Sequence, residues 1–172
     1  MKLRSWAEIK AGAKGGRGPR AKEKDFGLNS SNREANSVAN SIDAMKAAHE
    51  SAGKALTEAR TSLAKGSGGT RAAKDKIGEA FNTLQKAAES GKLTASTSGS
   101  RLAALPKYGD KDHPFMKAQA MNQEHSALVE KTSAMKSSLS RALTGDHESV
   151  SKAMGSFDDA HPRDENGRFA PK

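Results

Sequence analysis

The sequence predicts an all-α protein: an elongated antiparallel helical bundle of three long helices plus a short fourth, with a disordered N-terminal arm and a C-terminal tail. Two observations carry that expectation. Apolar side chains recur at steps of three and four through each long segment, which is the spacing of one helical face, and Gly- or Pro-rich breaks separate the segments. A third observation sets the proportions of the core. Hydrophobic residues are 34% of the 172 and aromatics 4%, and much of the former is alanine, so few large side chains can offset the entropy of ordering the chain. A thin core follows, one that gains from close helix approach and from support by a homo-oligomer or another partner.

The arm comes first, over residues 1–30. Gly12, Gly15, Gly16, Gly18 and Pro19 interrupt any helix begun at Trp6 and Ile9, so residues 10–30 are expected to be disordered or weakly ordered. The bundle occupies residues 31–157. Its first helix, about 31–65, starts where Ser31 precedes Glu34 by three, the spacing of a capping box. Val38, Ile42, Met45, Ala52, Leu56, Ala59 and Leu63 then form one stripe, with His49 filling the wider step. The helix closes at the Gly-Ser-Gly-Gly run of residues 66–69, a connection short enough to favour an antiparallel neighbour.

The second helix, about 70–91, has Thr70 as its cap and Ala73, Ile77, Ala80 or Phe81, Leu84 and Ala88 on one face. Gly91 is its expected stop. Residues 92–113 hold a Ser/Thr/Gly cluster and Pro106, which reads as a long loop with one turn around Leu102–Leu105. The third helix, about 114–144, opens with Pro114 at its first position and Asp112 or His113 as cap. Met121, His125, Leu128, Thr132, Met135, Leu139 and Ala142 alternate by four and three, the period of a coiled-coil seam. The fourth helix, about 146–155, is capped by Asp146 and buries Val150, Met154 and Phe157. Residues 158–172 remain as the tail.

Composition and spacing also remove several function classes. There is no cysteine, hence no disulfide framework and no thiolate metal site. The five histidines never fall at HxxxH or HExxH spacing, so no metal is expected, and His49 and His125 read as core residues. The Gly-Asp-Lys-Asp-His run at 109–113 lacks the later ligands of a calcium loop. No phosphate-cradling P-loop, no nucleophile elbow and no acid pair in an apolar pocket is present. The chain therefore reads as no enzyme, with no cofactor. It has no apolar run long enough for a membrane span, and residues 1–20 have charge without a continuous hydrophobic region, so a secretory signal is not expected.

Charge is unevenly placed. The net charge is +9, and residues 1–24 hold eight Lys or Arg against two Glu, a local +6. Lys2, Arg4, Lys10, Lys14, Arg17, Arg20, Lys22 and Lys24 thus form a candidate nucleic-acid surface, because cations placed along a phosphate backbone release its counterions. A DNA- or RNA-binding role for the arm, with the bundle as a dimerising handle, is one reading of the whole chain.

The tail, His-Pro-Arg-Asp-Glu-Asn-Gly-Arg-Phe-Ala at 161–170, has a shape of its own. Pro162 stops a helix and biases His161 to extended backbone; Asn166 and Gly167 favour a tight turn; Arg163 and Arg168 flank that turn beside the apolar Phe169. This segment resembles the HPRDxxGRF signature found near the ends of tailed-bacteriophage and prophage proteins of the head-assembly region. His161, Pro162, Arg163, Asp164, Gly167, Arg168 and Phe169 carry the match. The signature is a module appended to unrelated bodies, so the resemblance implies a setting, and it leaves the helical body unassigned. What it implies is a virion or head-assembly accessory protein (internal head, scaffold-like or packaged) that contacts capsid or portal proteins, in the virion or the host cytoplasm, with DNA as a further partner. A phage-encoded inhibitor that binds a host enzyme by its helical face is the third reading.

Overall fold

A computed structural model describes residues 24–161, and among these every regular element is helical. Helix α1 spans Asn32–Leu63, α2 Thr70–Thr94, the short α3 Ser100–Ala103, α4 Pro114–Ala142 and α5 His147–Ala160. α1 and α2 form an antiparallel hairpin. α4 returns beside α1 in the same direction, as the pairs Ser41–His125 and His49–Thr132 require, and α5 runs back down from the top of the bundle, where His147 Nε2 lies 3.3 Å from the Leu63 carbonyl.

The α1 stripe is buried as its spacing predicts, from Val38 through His49 to Leu63. The expected capping box, however, does not form. A 3-10 turn over Asn29–Ser31 leads into the helix, and the Ser31 N–H donates to the Leu28 carbonyl at 3.0 Å. That bond removes the donor Glu34 would have accepted, and Glu34 pairs instead with Arg101 at 2.9 Å. The arm boundary also moves. Residues 24–30 are ordered against the bundle, with Leu28 buried beside Ala35, Val38 and Leu102, whereas residues 1–23 lie outside the described residues.

At the top, Gly66 has φ of 77° and reverses the chain, a backbone state that side-chain-bearing residues resist. Thr70 is not the cap of α2: Gly69 holds that position, and the Thr70 hydroxyl is buried without a hydrogen-bond partner. Ala80 rather than Phe81 faces the core. Phe81 is half-buried, with the Lys136 ammonium 6.0 Å from its ring centre.

Gly91 does not stop α2, and the loop expected from residue 92 is largely helix. Gly91 is buried where α2 crosses α1 and α4, and a Cβ there would stand 2.8 Å from Val129 Cγ2 and 3.0 Å from Met45 Sδ. Its smallness serves packing. Beyond it a π-helical turn over Ala95–Gly99 joins α2 to α3. A π turn widens the ladder and loosens carbonyls, and here the hydroxyls of the Ser/Thr cluster take them up: Ser96 and Thr97 donate to Leu93 O, and Ser100 to Ala95 O and Ser96 O. The connection proper is residues 104–113. It is tied down by Gln119 to Leu105 O at 2.7 Å and by Tyr108 stacked on His113 with ring centres 3.8 Å apart.

α4 starts as expected, with Pro114 at its first turn and His113 Nδ1 accepting from the Phe115 N–H. Its buried face is Ala118, His125, Val129, Thr132, Met135, Leu139 and Ala142; Met121 and Leu128 of the predicted seam are only partly buried, because a straight helix drifts off the seven-residue repeat. α5 is capped by Asp146, which accepts from the Ser149 N–H at 2.9 Å, and runs five residues past its expected end at Gly155. Asp158, assigned to the tail by the sequence, belongs to this helix and pairs with Arg60 of α1.

Two apolar clusters result. The upper one joins α1, α2, α4 and α5 around Leu56, Ile77, Leu84, Met135 and Phe157; the lower one joins Leu28, Val38, Ile42, Leu102 and Ala118. Between them lies a polar layer.

Candidate functional site

The candidate residues fall into two groups at the two ends of the described chain. Of the basic set, only Lys24 is described; Lys2, Arg4, Lys10, Lys14, Arg17, Arg20 and Lys22 lie outside the described residues, as do Pro162, Arg163, Asp164, Gly167, Arg168 and Phe169 of the docking set. The structure therefore defines how each segment is rooted.

The root of the arm is a pair of asparagines four residues apart on α1, hence on one helical face. Asn36 accepts from the Lys24 N–H at 2.9 Å and donates to the Lys24 carbonyl at 2.8 Å, a side-chain amide acting as the partner of one extended residue. Asn32 Oδ1 accepts from the N–H groups of Phe26 and Leu28, and its Nδ2 donates to Asp25. With the backbone fixed at Lys24, its exposed side chain stands at the foot of α1.

The root of the tail is His161. Its backbone N–H and its Nδ1 both face the Phe157 carbonyl, at 2.9 and 3.1 Å, and its ring lies over that of Phe157 with centres 4.6 Å apart. Phe157 is buried in the upper cluster. The described chain thus ends on an anchored helix terminus, partway down the molecule.

A polar layer lies between α1 and α4. His49 of α1 is 8% exposed and its Nε2 is 2.8 Å from Thr132 Oγ1 of α4; His125 of α4 is 0% exposed and its Nε2 is 2.9 Å from Ser41 Oγ of α1. Burial pushes both imidazoles down from the ordinary histidine value, His49 to about 4, with Lys131 and His161 adding cationic repulsion there. Both rings are neutral near pH 7 and hold the two helices in register by hydrogen bonds, since a one-turn slip would leave four polar groups buried without partners. Among the described residues, no group of three or more His, Asp and Glu is placed to hold a metal ion, and no helix is long and apolar enough to cross a membrane.

Comparison of the chain with protein-family models, with curated proteins and with solved structures finds no match. The site is accordingly read from its own residues.

Sequence reasoning missed the asparagine bracket and the crossed histidine–hydroxyl pairs. The first had a usable signal, two asparagines at i and i+4 in the opening turns of a helix, where each amide can serve the chain that precedes it. The second had none: Ser41 and Thr132 are serine and threonine among many, and only the parallel docking of α1 on α4 brings them to the histidines.

Proposed function

We propose that the protein is a bacteriophage virion or head-assembly accessory protein that acts by protein–protein contact, docking through residues 161–169 on capsid or portal proteins. The observation that carries this reading is the His-Pro-Arg-Asp-Glu-Asn-Gly-Arg-Phe segment itself. Two arginines and a phenylalanine flanking an Asn-Gly pair offer bidentate hydrogen bonding and one apolar anchor, residue types enriched at protein–protein interfaces. The packing of His161 on Phe157 supports it, because a module carried on an anchored helix end loses less freedom on docking than one on a long tether.

The test is mass spectrometry of purified particles made with the full chain and with residues 162–172 deleted. Presence of the full chain and loss of the truncated one is the expected result. Equal incorporation of both would remove the tail from the mechanism, and absence of the full chain from both assembly intermediates and finished particles would overturn the reading altogether.

A second reading rests on the +6 of residues 1–24 and the fixing of Lys24 by Asn36: the arm binds nucleic acid by its charge. Binding to duplex DNA should then weaken steeply as salt is raised, with a log–log slope near −0.9 for each phosphate neutralised, and should vanish on deletion of residues 1–23. Binding that survives the deletion would place the contact elsewhere.

A further inference from the structure

At the foot of the bundle the chain presents an aromatic ring that the two functional readings leave unused. Tyr108, the one tyrosine of the sequence, keeps 45% of its surface exposed, and only Leu93 of α2 is its equal among the large hydrophobic residues described. His113 covers one face of the ring, with centres 3.8 Å apart and planes 17° from parallel, and Phe115 stands edge-on to the pair at 5.7 and 5.1 Å. The outward face is thus the place where a further flat group can stack. The loop that carries the ring is also fixed: the Tyr108 N–H donates to Met116 Sδ at 3.3 Å, the Gln119 amide to the Leu105 carbonyl at 2.7 Å and the His113 N–H to the Asp110 carbonyl at 3.2 Å. A stacking partner meets the ring already in position, so little freedom is lost on binding.

Three cations share this end. Lys107 precedes the ring and Lys111 follows it in the same loop, both exposed. Lys24 comes to the same foot because Gly27 packs on Pro114, the neighbour of His113: a Cβ on the glycine would stand 3.5 Å from Pro114 Cγ. Among the described residues none of the three ammonium groups has an ion-pair partner. The nearby acids are engaged. Asp25 accepts from the Gly27 N–H and from Asn32, Asp110 accepts from the Asp112 N–H, and Asp112 pairs with Lys117 at 3.1 Å. This excess of charge is small, so it orients an anionic partner while stacking provides most of the affinity; one base stacked on an aromatic side chain is worth roughly five- to 150-fold.

We propose that the foot is a binding site for single-stranded nucleic acid, with Tyr108 as the platform on which one base stacks and Lys107, Lys111 and Lys24 meeting the backbone phosphates. The chemistry selects this partner over others. A duplex keeps its bases stacked on one another, so it offers phosphates to the lysines and no free ring to Tyr108. An acidic peptide pairs with the lysines and leaves the ring unused. A protein interface draws on a contiguous apolar core, whereas the apolar neighbours here, Phe26, Leu105 and Phe115, are half-buried against the lower cluster and the rim is charged. The site adds a contact on the folded body to the nucleic-acid reading of the arm, and it stands without the arm.

The test is a fluorescence-anisotropy titration of the full chain with labelled oligo(dT) of about twelve nucleotides and with a hairpin duplex of equal phosphate number. The expected result is about tenfold tighter binding of the single strand, with Tyr108→Leu, which keeps an apolar side chain in the loop, reducing it to the level of the duplex. Lys107→Gln/Lys111→Gln should make the log–log salt slope for oligo(dT) shallower by about 0.7 for each lysine. Duplex binding with no preference for the single strand would overturn the platform and leave the arm reading in place; single-strand binding without duplex binding supports the platform and removes the arm. Displacement of oligo(dT) by polyglutamate of equal charge, as readily as by unlabelled oligo(dT), would show that the surface reads charge alone and would also overturn the proposal. Should Tyr108→Leu fail to fold, NMR of the wild-type chain decides the matter: the Tyr108 ring protons should move upfield as oligo(dT) is added, and ring signals that stay in place sink it.

Discussion

Gly91 of α2 lies so close to Val129 of α4 that a Cβ on the glycine would stand 2.8 Å from the valine Cγ2. In sequence this glycine looks like a helix terminator, and in the fold it permits α2 to pack closely on Val129 and Met45. Gly91→Ala should therefore destabilise the protein, by about 1–3 kcal/mol from overpacking against a well-filled seam, even though alanine is the better helix former. Gly78, on the same helix, is the control: the nearest atom to a Cβ there is Leu143 Cδ2 at 4.0 Å, and Gly78→Ala should stabilise by up to about 1 kcal/mol. Urea denaturation of the two variants beside the wild type gives both signs in one experiment; a stabilising Gly91→Ala would show the seam to be loosely packed.

Asn32 holds the chain that leads into α1 by three hydrogen bonds from one side chain. Replacing it with alanine leaves the Phe26 and Leu28 N–H groups without acceptors, which should cost about 1–2 kcal/mol and free residues 24–28 from the foot of the bundle. The expected signature is local: fast exchange of the Phe26 and Leu28 amides, with α2 and α5 unchanged. Asn32→Asp, which retains the acceptor and loses the donor to Asp25, should lie between wild type and alanine. Uniform loss of protection throughout the chain would mean that this segment supports the whole core.

Asp146 caps α5 through the Ser149 N–H, and that bond, together with the Ser149 side chain, holds its carboxyl below the ordinary aspartate range. Asp146→Ala should fray the first turn of α5, read as lost protection at Ser149 and Val150 and a small drop in far-UV helicity, whereas Asp146→Asn keeps a capping oxygen and should behave nearly as wild type. An alanine variant with full protection at Ser149 would show that Val150 and Met154 packing alone fixes the helix start.

The parts of this fold that were legible from sequence are those governed by local period. The stripe from Val38 to Leu63, the Pro114 start and the Asp146 cap all depend on residues a few positions apart, and each stands where it was expected. The departures share one cause. Gly91, the Ser/Thr cluster at 94–100 and the Ser31–Glu34 pair are ambiguous locally, and the decision came from groups distant in sequence: Val129 and Met45 against Gly91, Asn122 donating to the Gly99 carbonyl at 3.0 Å, Arg101 drawing Glu34 away from the helix start. The candidate site divides the same way. The charge of the arm and the shape of the tail are sequence properties, but the amides that root Lys24 and the ring that roots His161 emerge only when the helices are assembled.

Acid should weaken the folded state in two stages that separate by residue. His49 and His125 are both depressed by burial, so the neutral rings favour the fold; their contribution is complete above the unfolded value of 6.5 and is lost as pH falls towards about 4 for His49. Glu34 is also depressed, for the opposite reason of charge: the Arg101 guanidinium bonded to it favours the carboxylate, so its contribution is complete above 4.5 and is lost below that pH. Thermal midpoints measured from pH 8 to pH 3 should fall gently from pH 6.5 and then again below pH 4.5. Arg101→Gln removes the partner that favours the Glu34 carboxylate and should flatten the second stage while leaving the first intact. The double variant His49→Gln/His125→Gln should do the reverse. A single transition common to all three proteins would show that the pairing in the first turn of α1 and those along its middle melt as one unit.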